Sequence, residues 1–425
     1  MKQLVSQILH SSFVQNVGKL LSANIIAQVI GIVIYPILTR MYAPEDFALL
    51  SLFMSIAGVL VLIGTFEYQY AIVLPKDDGK ARSLVHLCIF LLLGVCLITG
   101  LTIPLARPIA QLFNAPDLAD FWWLMPFSIL GMGLWNILNY WYIRRSAFTR
   151  AGGYQMTQSV LNASGKISFG ALGWLKSGMI IATVCAPLLS LLISISLAWK
   201  KHIRQLLSFD RLQLKAVARE YANFPKFSLP RALVNTLSLS LPIWILTPYF
   251  GLDSIGRFSL AMVASAVPLG LIARACNQVL FQRVSELVQK KLGLRHTLNT
   301  FLLWMGGCIV VVMTVVYVLL PQLVSVLFGA EWLESATIIR HLYPYLILTP
   351  ICGSICFLPD VFAKQQTALW METAYTIALA VVLAIGVHTT TFLTNISLFA
   401  LTKFVYLAVQ LVWFLKLVRD YNKSL

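Results

Sequence analysis

The chain has 425 residues, of which 59% are hydrophobic and 11% charged, against about 25% charged in an average soluble domain. That composition excludes a string of soluble domains and describes an integral membrane protein. Its 32 Lys and Arg outnumber 16 Asp and Glu, for a formal charge of +16, an excess that suits nucleic acid, anionic lipid or the positive-inside bias of membrane loops, and position must decide among them.

Apolar runs recur along the chain without a polar domain between them, each near the ~20 residues that cross a bilayer as a helix. The alternating pattern of a membrane barrel is absent. Residues 1–15 lack the apolar core and cleavage site of a signal peptide. Leu4, Val5, Ile8, Leu9 and Phe13 instead recur at helical spacing, as in a short helix lying at the interface. Twelve spans follow, at 17–39, 47–74, 83–105, 121–143, 154–175, 178–199, 227–250, 256–281, 298–320, 338–358, 368–388 and 393–415.

An even number of spans puts both termini on one side. With this map, Arg40, Arg107, Lys176 and Arg257 alone fall on the loops after odd-numbered spans, five cations fall in or at the edge of spans, and all others occupy the termini and the alternate loops. The asymmetry places both termini in the cytoplasm and accounts for the charge without nucleic acid. Residues 200–226 form the one long inner loop, where RLQLKAVAREY reads as a basic amphipathic helix on the membrane surface. No alternation of aromatic and basic residues offers a stacking platform there. The expected organisation is a six-helix bundle over 1–199, a basic cytoplasmic linker over 200–226 and a second six-helix bundle over 227–425.

The halves resemble each other at a constant offset. Ile37, Leu38 and Thr39 match Ile245, Leu246 and Thr247; Glu45 matches Asp253, Ala48 matches Gly256, and Ser51-Leu52 match Ser259-Leu260. Repeated six-helix bundles are a transporter signature, because two similar bundles rock about a midplane site. Catalysis has little support: the six histidines are scattered, the outer loops are short, and no phosphate-cradling glycine loop exists. The seven cysteines fall almost wholly inside apolar runs and imply neither a disulfide framework nor a metal site.

The stretch LTRMYAPEDFALLSLFMSI, followed by FEYQYAIVLPKDDGKARSLV, resembles the amino-terminal signature of Wzx-type O-antigen flippases, which belong to the polysaccharide-transport branch of the superfamily that also holds multidrug extruders and the lipid II flippase. The positions that carry the resemblance are Thr39, Arg40, Tyr42, Pro44, Glu45, Phe47, Glu67, Tyr68, Ala71, Ile72, Val73, Leu74 and Pro75. The motif is confined to residues 30–85. The resemblance implies a flippase of the bacterial inner membrane that carries an undecaprenyl-diphosphate-linked oligosaccharide, the O-antigen repeat unit, from the cytoplasmic to the periplasmic leaflet. It also implies a polysaccharide polymerase and a chain-length regulator as partners.

The residues can be asked independently whether that cargo is sensible. Lys166, Arg231, Arg274, Arg340 and Lys403 are the cations in or at the edge of spans. A lysine or arginine at bilayer depth costs roughly 2.5–3.5 kcal/mol even on the lenient insertion scale, so such groups face a wet interior or snorkel to headgroups. Arg231 and Arg340, near span ends, are open to snorkelling. Lys166, in LNASGKISFGALG, Arg274 and Lys403 point to a cationic cavity suited to a diphosphate.

Glu67 is the only acid read well inside a span, and the offset between the halves places its counterpart one residue from Arg274. The two charges are expected to act as a gate, with Glu67 also a candidate site for a coupling H⁺ or Na⁺. Arg40, followed by Pro44, Glu45 and Asp46, ends the first span on the outer side, either as an ion pair within the turn or as an outer phosphate ligand. The expectation is therefore an all-α membrane protein of twelve helices in two pseudo-symmetric six-helix bundles around a central cavity. Arg40, Lys166, Arg231, Arg274 and Lys403 would bind substrate, without cofactor or metal. An ion-coupled multidrug exporter and a membrane polymerase or acyltransferase are the competing readings.

Overall fold

The computed structural model describes residues 25–199, 206 and 211–423, so the interfacial helix expected over 1–15 and the first part of the span at 17–39 lie outside the described residues. Every regular element among the described residues is helical. Nine of these helices are long and apolar enough to cross a membrane. The chain divides into two compact units, one ending at Thr236 and the other beginning at Leu237.

In chain order the first unit contains α1 (Ile25–Leu38), α2 (Pro44–Thr65), a 3-10 segment (Tyr68–Val73), α3 (Asp78–Leu101), α4 (Ala106–Leu112), α5 (Met125–Arg144), α6 (Phe148–Ala171), α7 (Leu175–Ala198) and α8 (Arg211–Glu220). Proline at the first position of α2 has no N–H to leave unsatisfied, and the Asp46 carboxylate accepts the Ala43 N–H at 3.1 Å. Asp77 caps α3 by accepting from the Gly79 and Lys80 amides at 3.0 and 3.1 Å, and these two donors hold its carboxyl below the usual range. Leu52, Phe53, Leu84, Leu92, Ile129 and Trp141 form the dry seam of α2, α3 and α5. Tight packing of this kind holds membrane helices together where lipid removes the hydrophobic incentive.

The span expected over 47–74 ends at Thr65 instead. Phe66 and Glu67 both adopt positive φ, 48° and 61°, and this left-handed pair stops the helix. Glu67 therefore lies beyond the end of α2 and not well inside a span. Hydropathy continues through FEYQYAIVL, and apolarity carries no information about backbone handedness.

The amphipathic helix expected in the inner loop is α8, and it is docked on α3. Lys80 meets Glu220 at 2.8 Å, Ser83 Oγ donates to Gln213 Oε1 at 3.0 Å, and the Tyr68 hydroxyl donates to the Ala218 carbonyl at 2.9 Å. Val217 is buried beneath it. The sequence periodicity fixes which face of α8 is apolar, and α3 with the segment after Glu67 is what covers that face.

The second unit begins within α9 (Leu229–Gln289) and continues with α10 (Arg295–Phe328), α11 (Leu333–Ser354), α12 (Gln365–Thr389) and α13 (Phe392–Lys423). Its 61 residues would make α9 a straight rod of roughly 90 Å at 1.5 Å per residue, about three times a bilayer core. The rod is broken at Gly251, with φ 76° and ψ 172°, a conformation that only glycine takes without strain. The break falls between the spans expected at 227–250 and 256–281.

Just beyond the break, Arg257 makes a two-pronged pair with Asp253, 2.9 Å on each prong. Its Nε also lies 3.3 Å from Glu334, and Nη1 donates to the Glu331 carbonyl, which ties this end of α9 to the start of α11. At the far end of the same limb, Val284, Leu287, Leu294, Leu298, Phe357 and Phe414 close an apolar cluster. Some residues matched by the internal offset share their burial: Leu38, Ala48 and Leu52 are buried in the first unit, and Leu246, Gly256 and Leu260 in the second, whereas Ile37 and Glu45 are exposed and Ile245 and Asp253 half-buried.

Candidate functional site

A cavity of about 360 Å³ lies among α1, α5 and α6 of the first unit. From α6 it receives Gln155, Gln158, Ser159, Asn162 and Lys166, from α1 Gln28 and Tyr35, and from α5 Trp135. Positions 155, 158, 162 and 166 are three or four residues apart, the spacing that sets side chains on one helical face. Gln28, Tyr35 and Leu38 line it from α1 by the same rule, with Gly31 between them keeping the wall thin.

Three contacts fix this wall. Ser159 Oγ donates to the Ala27 carbonyl at 2.7 Å, joining α6 to α1. The Tyr42 hydroxyl donates to the Lys166 carbonyl at 2.6 Å. Tyr42 is buried, with its ring against Gly170 and its hydroxyl against Gly178, where an added Cβ would come within 3.0 Å of the ring and 2.9 Å of the oxygen. Trp135 stacks face to face on Tyr154, with centroids 3.5 Å apart and planes 7° apart, so the indole is held rigidly at the cavity edge.

Lys166 is half-buried at this wall, and among the described residues no carboxylate lies within ion-pair distance of its ammonium. Amides offer both donors and acceptors, which hydroxyl groups require. Aromatic faces accept sugar C–H edges, and a lysine supplies a compact charge for phosphate. Among the described residues the lining has no His, Cys, Asp or Glu. It is furnished for binding a polar ligand.

The other residues expected at the site are placed differently. Arg40 is exposed at the turn between α1 and α2, and Arg231 is exposed in the first turn of α9; both belong to the first unit, yet neither lines this cavity. Glu67 is 3% exposed and accepts from Gln69 Nε2 at 3.3 Å. In the second unit, Arg274 is exposed on the later limb of α9, and Arg340 lies over the Tyr317 ring at 5.2 Å. Lys403 on α13 sits 4.7 Å from the Tyr375 ring centre and 5.6 Å from that of Tyr406, two rings stacked at 4.5 Å. Its charge is met by aromatic faces, one from Tyr406 three residues on within LFALTKFVYLAV and the other from Tyr375 on α12.

Sequence reading missed Gln28, Trp135, Gln155, Gln158 and Asn162. The signal was present, because an amide stripe ending in lysine along one face of a membrane helix is costly unless it lines water or a ligand. It also counted Arg144 as an ordinary loop charge. In the structure the Arg144 side chain is 10% exposed and reaches Asp78 at 2.8 Å. It donates to the carbonyls of Pro75 at 2.5 Å, Ile72 at 3.3 Å and Lys76 at 3.4 Å. The Ala-Ile-Val-Leu-Pro element is thus wrapped around one guanidinium.

Comparison with known proteins gives a consistent family. The family described as "Polysaccharide biosynthesis protein" matches residues 37–337, well over half of the chain. Succinoglycan biosynthesis transport protein ExoT of Rhizobium meliloti (strain 1021) is 23% identical over 368 residues, spanning 83% of this chain and 69% of its own. Among solved structures, lipid II flippase MurJ in an inward closed conformation aligns with a TM-score of 0.72 at 14% identity, covering 94% of this chain and 89% of that one. An inward-facing MATE family multidrug resistance transporter of the MOP superfamily aligns at 0.67 with 17% identity, covering 93% and 96%. A MOP superfamily transporter from Pyrococcus furiosus aligns at 0.59 with 16% identity and 98% of each chain.

Proposed function

Because the chain belongs to the polysaccharide biosynthesis protein family and is a multi-pass membrane transporter, not an enzyme, we propose that its cargo is an undecaprenyl-diphosphate-linked oligosaccharide, moved from the cytoplasmic to the periplasmic leaflet of the bacterial inner membrane by alternating access. The observation that carries this reading is the cavity of the first unit, where Lys166, with no carboxylate within ion-pair distance among the described residues, ends a stripe of amides beside a rigid Trp135. Such a lining suits a hydroxyl-rich chain joined to an anion. An exporter of organic cations would instead place a carboxylate at the cavity.

The O-antigen repeat unit is the cargo that the motif over residues 39–75 favours, and a polysaccharide polymerase and a chain-length regulator are the partners that would receive it. The reading takes the chain as crossing twelve times, counting α1, the polar α6 and both limbs of α9 with the other long helices. Both termini are then cytoplasmic, as the basic loops favour. Energy comes from the membrane potential acting on the anionic headgroup, worth ~2.3 kcal/mol per charge per 100 mV, or from H⁺ or Na⁺ at the buried Glu67.

The test is the sidedness of the lipid-linked oligosaccharide in membrane vesicles from cells with and without the protein. Retention on the cytoplasmic leaflet, relieved by the wild-type chain but not by Lys166→Ala, is the expected result. Normal crossing without the protein overturns the reading. Efflux of cationic dyes would then favour the multidrug exporter.

A further inference from the structure

A second, smaller cavity of about 160 Å³ lies between α6 and α7, lined by Thr149, Arg150, Thr157, Ser190, Ser194 and the Tyr154 ring. It is separate from the cavity of Lys166, with the stacked Trp135 and Tyr154 between them. At ~30 Å³ per water its volume is that of about five waters, enough for a phosphate group and not for a sugar chain.

Two observations mark it as built for a ligand. Ser190, a residue of the cavity wall, is 1% exposed, and its buried hydroxyl has no hydrogen-bond partner among the described residues. A buried hydroxyl left unpaired carries a cost that a bound acceptor or donor removes. Its neighbours are already engaged: Ser194 Oγ shares a bond of 2.9 Å with the Tyr142 hydroxyl, and the Tyr154 hydroxyl donates to the Pro187 carbonyl at 3.3 Å. Arg150, exposed at the rim, has no carboxylate within ion-pair distance among the described residues, unlike its neighbours Arg144 and Arg145, which both pair with Asp78.

The surroundings narrow the ligand class. Arg150 and Thr149 stand in the first turn of α6, a 24-residue helix whose positive dipole end favours an anion. The rim also contains Ile193 and Leu197, which are 42% and 64% exposed on the outside of α7. A free anion gains nothing from that apolar edge. A lipid gains twice, placing its phosphate on Arg150 and the hydroxyls and its hydrocarbon along α7.

We infer that the α6–α7 cavity binds the phosphate headgroup of a membrane lipid, with Arg150 as its charge partner and Ser190 as its buried donor. The headgroup comes from one of two sources, a resident anionic phospholipid or a prenyl diphosphate held before transport. The first use is independent of the proposed cargo, and the second rests on it.

Native mass spectrometry of the detergent-solubilised full-length chain tests this, with phosphatidylglycerol, undecaprenyl diphosphate and inorganic phosphate titrated separately. Arg150→Gln should weaken lipid binding about tenfold, and Ser190→Ala about threefold. Neither variant endangers folding, since Arg150 is exposed and Ser190 gives up an unpaired hydroxyl. Lys215→Gln, an exposed charge on α8, should leave binding unchanged. Tighter binding of phosphatidylglycerol identifies a resident lipid, and tighter binding of undecaprenyl diphosphate identifies a waiting position for cargo. Inorganic phosphate binding as tightly as either lipid would overturn the inference, as would equal losses with Lys215→Gln or no loss with Arg150→Gln and Ser190→Ala.

Discussion

Lys166 and Lys403 look alike in sequence, each the one cation inside its expected span, and the structure separates them. Lys403 has its charge answered within its own unit by the faces of Tyr375 and Tyr406. Lys166 is surrounded by amides, a serine and an indole around open space, and its nearest firm tether is through its backbone carbonyl. A cation whose compensation is built in serves the fold, and a cation left with an open, polar surrounding is set for a ligand. The cost of charge in a membrane says that something must compensate each lysine; only the neighbours say whether it is protein or cargo.

Arg144 is the extreme of the compensated kind and should give the largest effect. Arg144→Ala strips the carbonyls of Ile72, Pro75 and Lys76 and the Asp78 carboxylate of their shared donor. It should destabilise the chain by about 3 kcal/mol, read as a lower melting temperature of the purified protein. Arg144→Lys should recover little, because a single ammonium cannot reach three carbonyls and a carboxylate as the planar fork does. A melting temperature unchanged in Arg144→Ala would show that the clamp adds nothing to the stability of the fold.

Lys166→Ala should do the opposite, leaving the melting temperature in place and lowering transport about 30-fold, near 2 kcal/mol of lost binding in the transport step. Lys166→Arg keeps the charge and should retain most of the rate. Leaflet sidedness of the lipid-linked oligosaccharide in vesicles measures both variants. Wild-type transport by Lys166→Ala would erase the distinction between the two lysines.

Much of this arrangement is legible in the sequence. Run lengths and loop charges mark the membrane helices, and the break at Gly251 falls where the pattern of spans puts a loop. The cost of buried charge singles out Lys166, Arg274 and Lys403 alike, and does not show that Arg274 is exposed on α9. What is not legible depends on contacts between distant segments. Tyr406 stands one turn from Lys403 on α13 and is readable there, but Tyr375 meets the ammonium only through the packing of α12 on α13, and the docking of α8 onto α3 depends on Glu220 finding Lys80. Glu67 is misplaced by hydropathy for a different reason, since the end of α2 is set by two left-handed residues that no hydropathy window detects. The amide face of α6 is readable in principle, because Gln155, Gln158, Asn162 and Lys166 keep helical spacing.

Lys403→Met sharpens the comparison from the other side. Methionine keeps the length and apolar stem of the side chain and removes only the charge over the two rings, so stability should fall by about 1 kcal/mol while transport stays within about threefold of wild type. Transport that collapsed as far as in Lys166→Ala, with melting unchanged, would place Lys403 with Lys166 as a cargo ligand.

Tyr42→Phe should give the smallest effect and tests whether the position of Lys166 matters as well as its charge. The Tyr42 hydroxyl donates to the Lys166 carbonyl, and that carbonyl also serves the interior of α6, so removing the hydroxyl leaves no wholly unsatisfied group. The loss should be about 0.5–1 kcal/mol. The phenyl ring still fills the space against Gly170 and gives up only the hydroxyl contact at Gly178, which keeps α6 close to the turn after α1. If the tether sets where the ammonium stands in the cavity, transport should fall about twofold beyond what the small change in folded protein accounts for. Full transport per folded molecule would show instead that Tyr42 holds the helices together and that Lys166 finds its ligand by its own flexible reach.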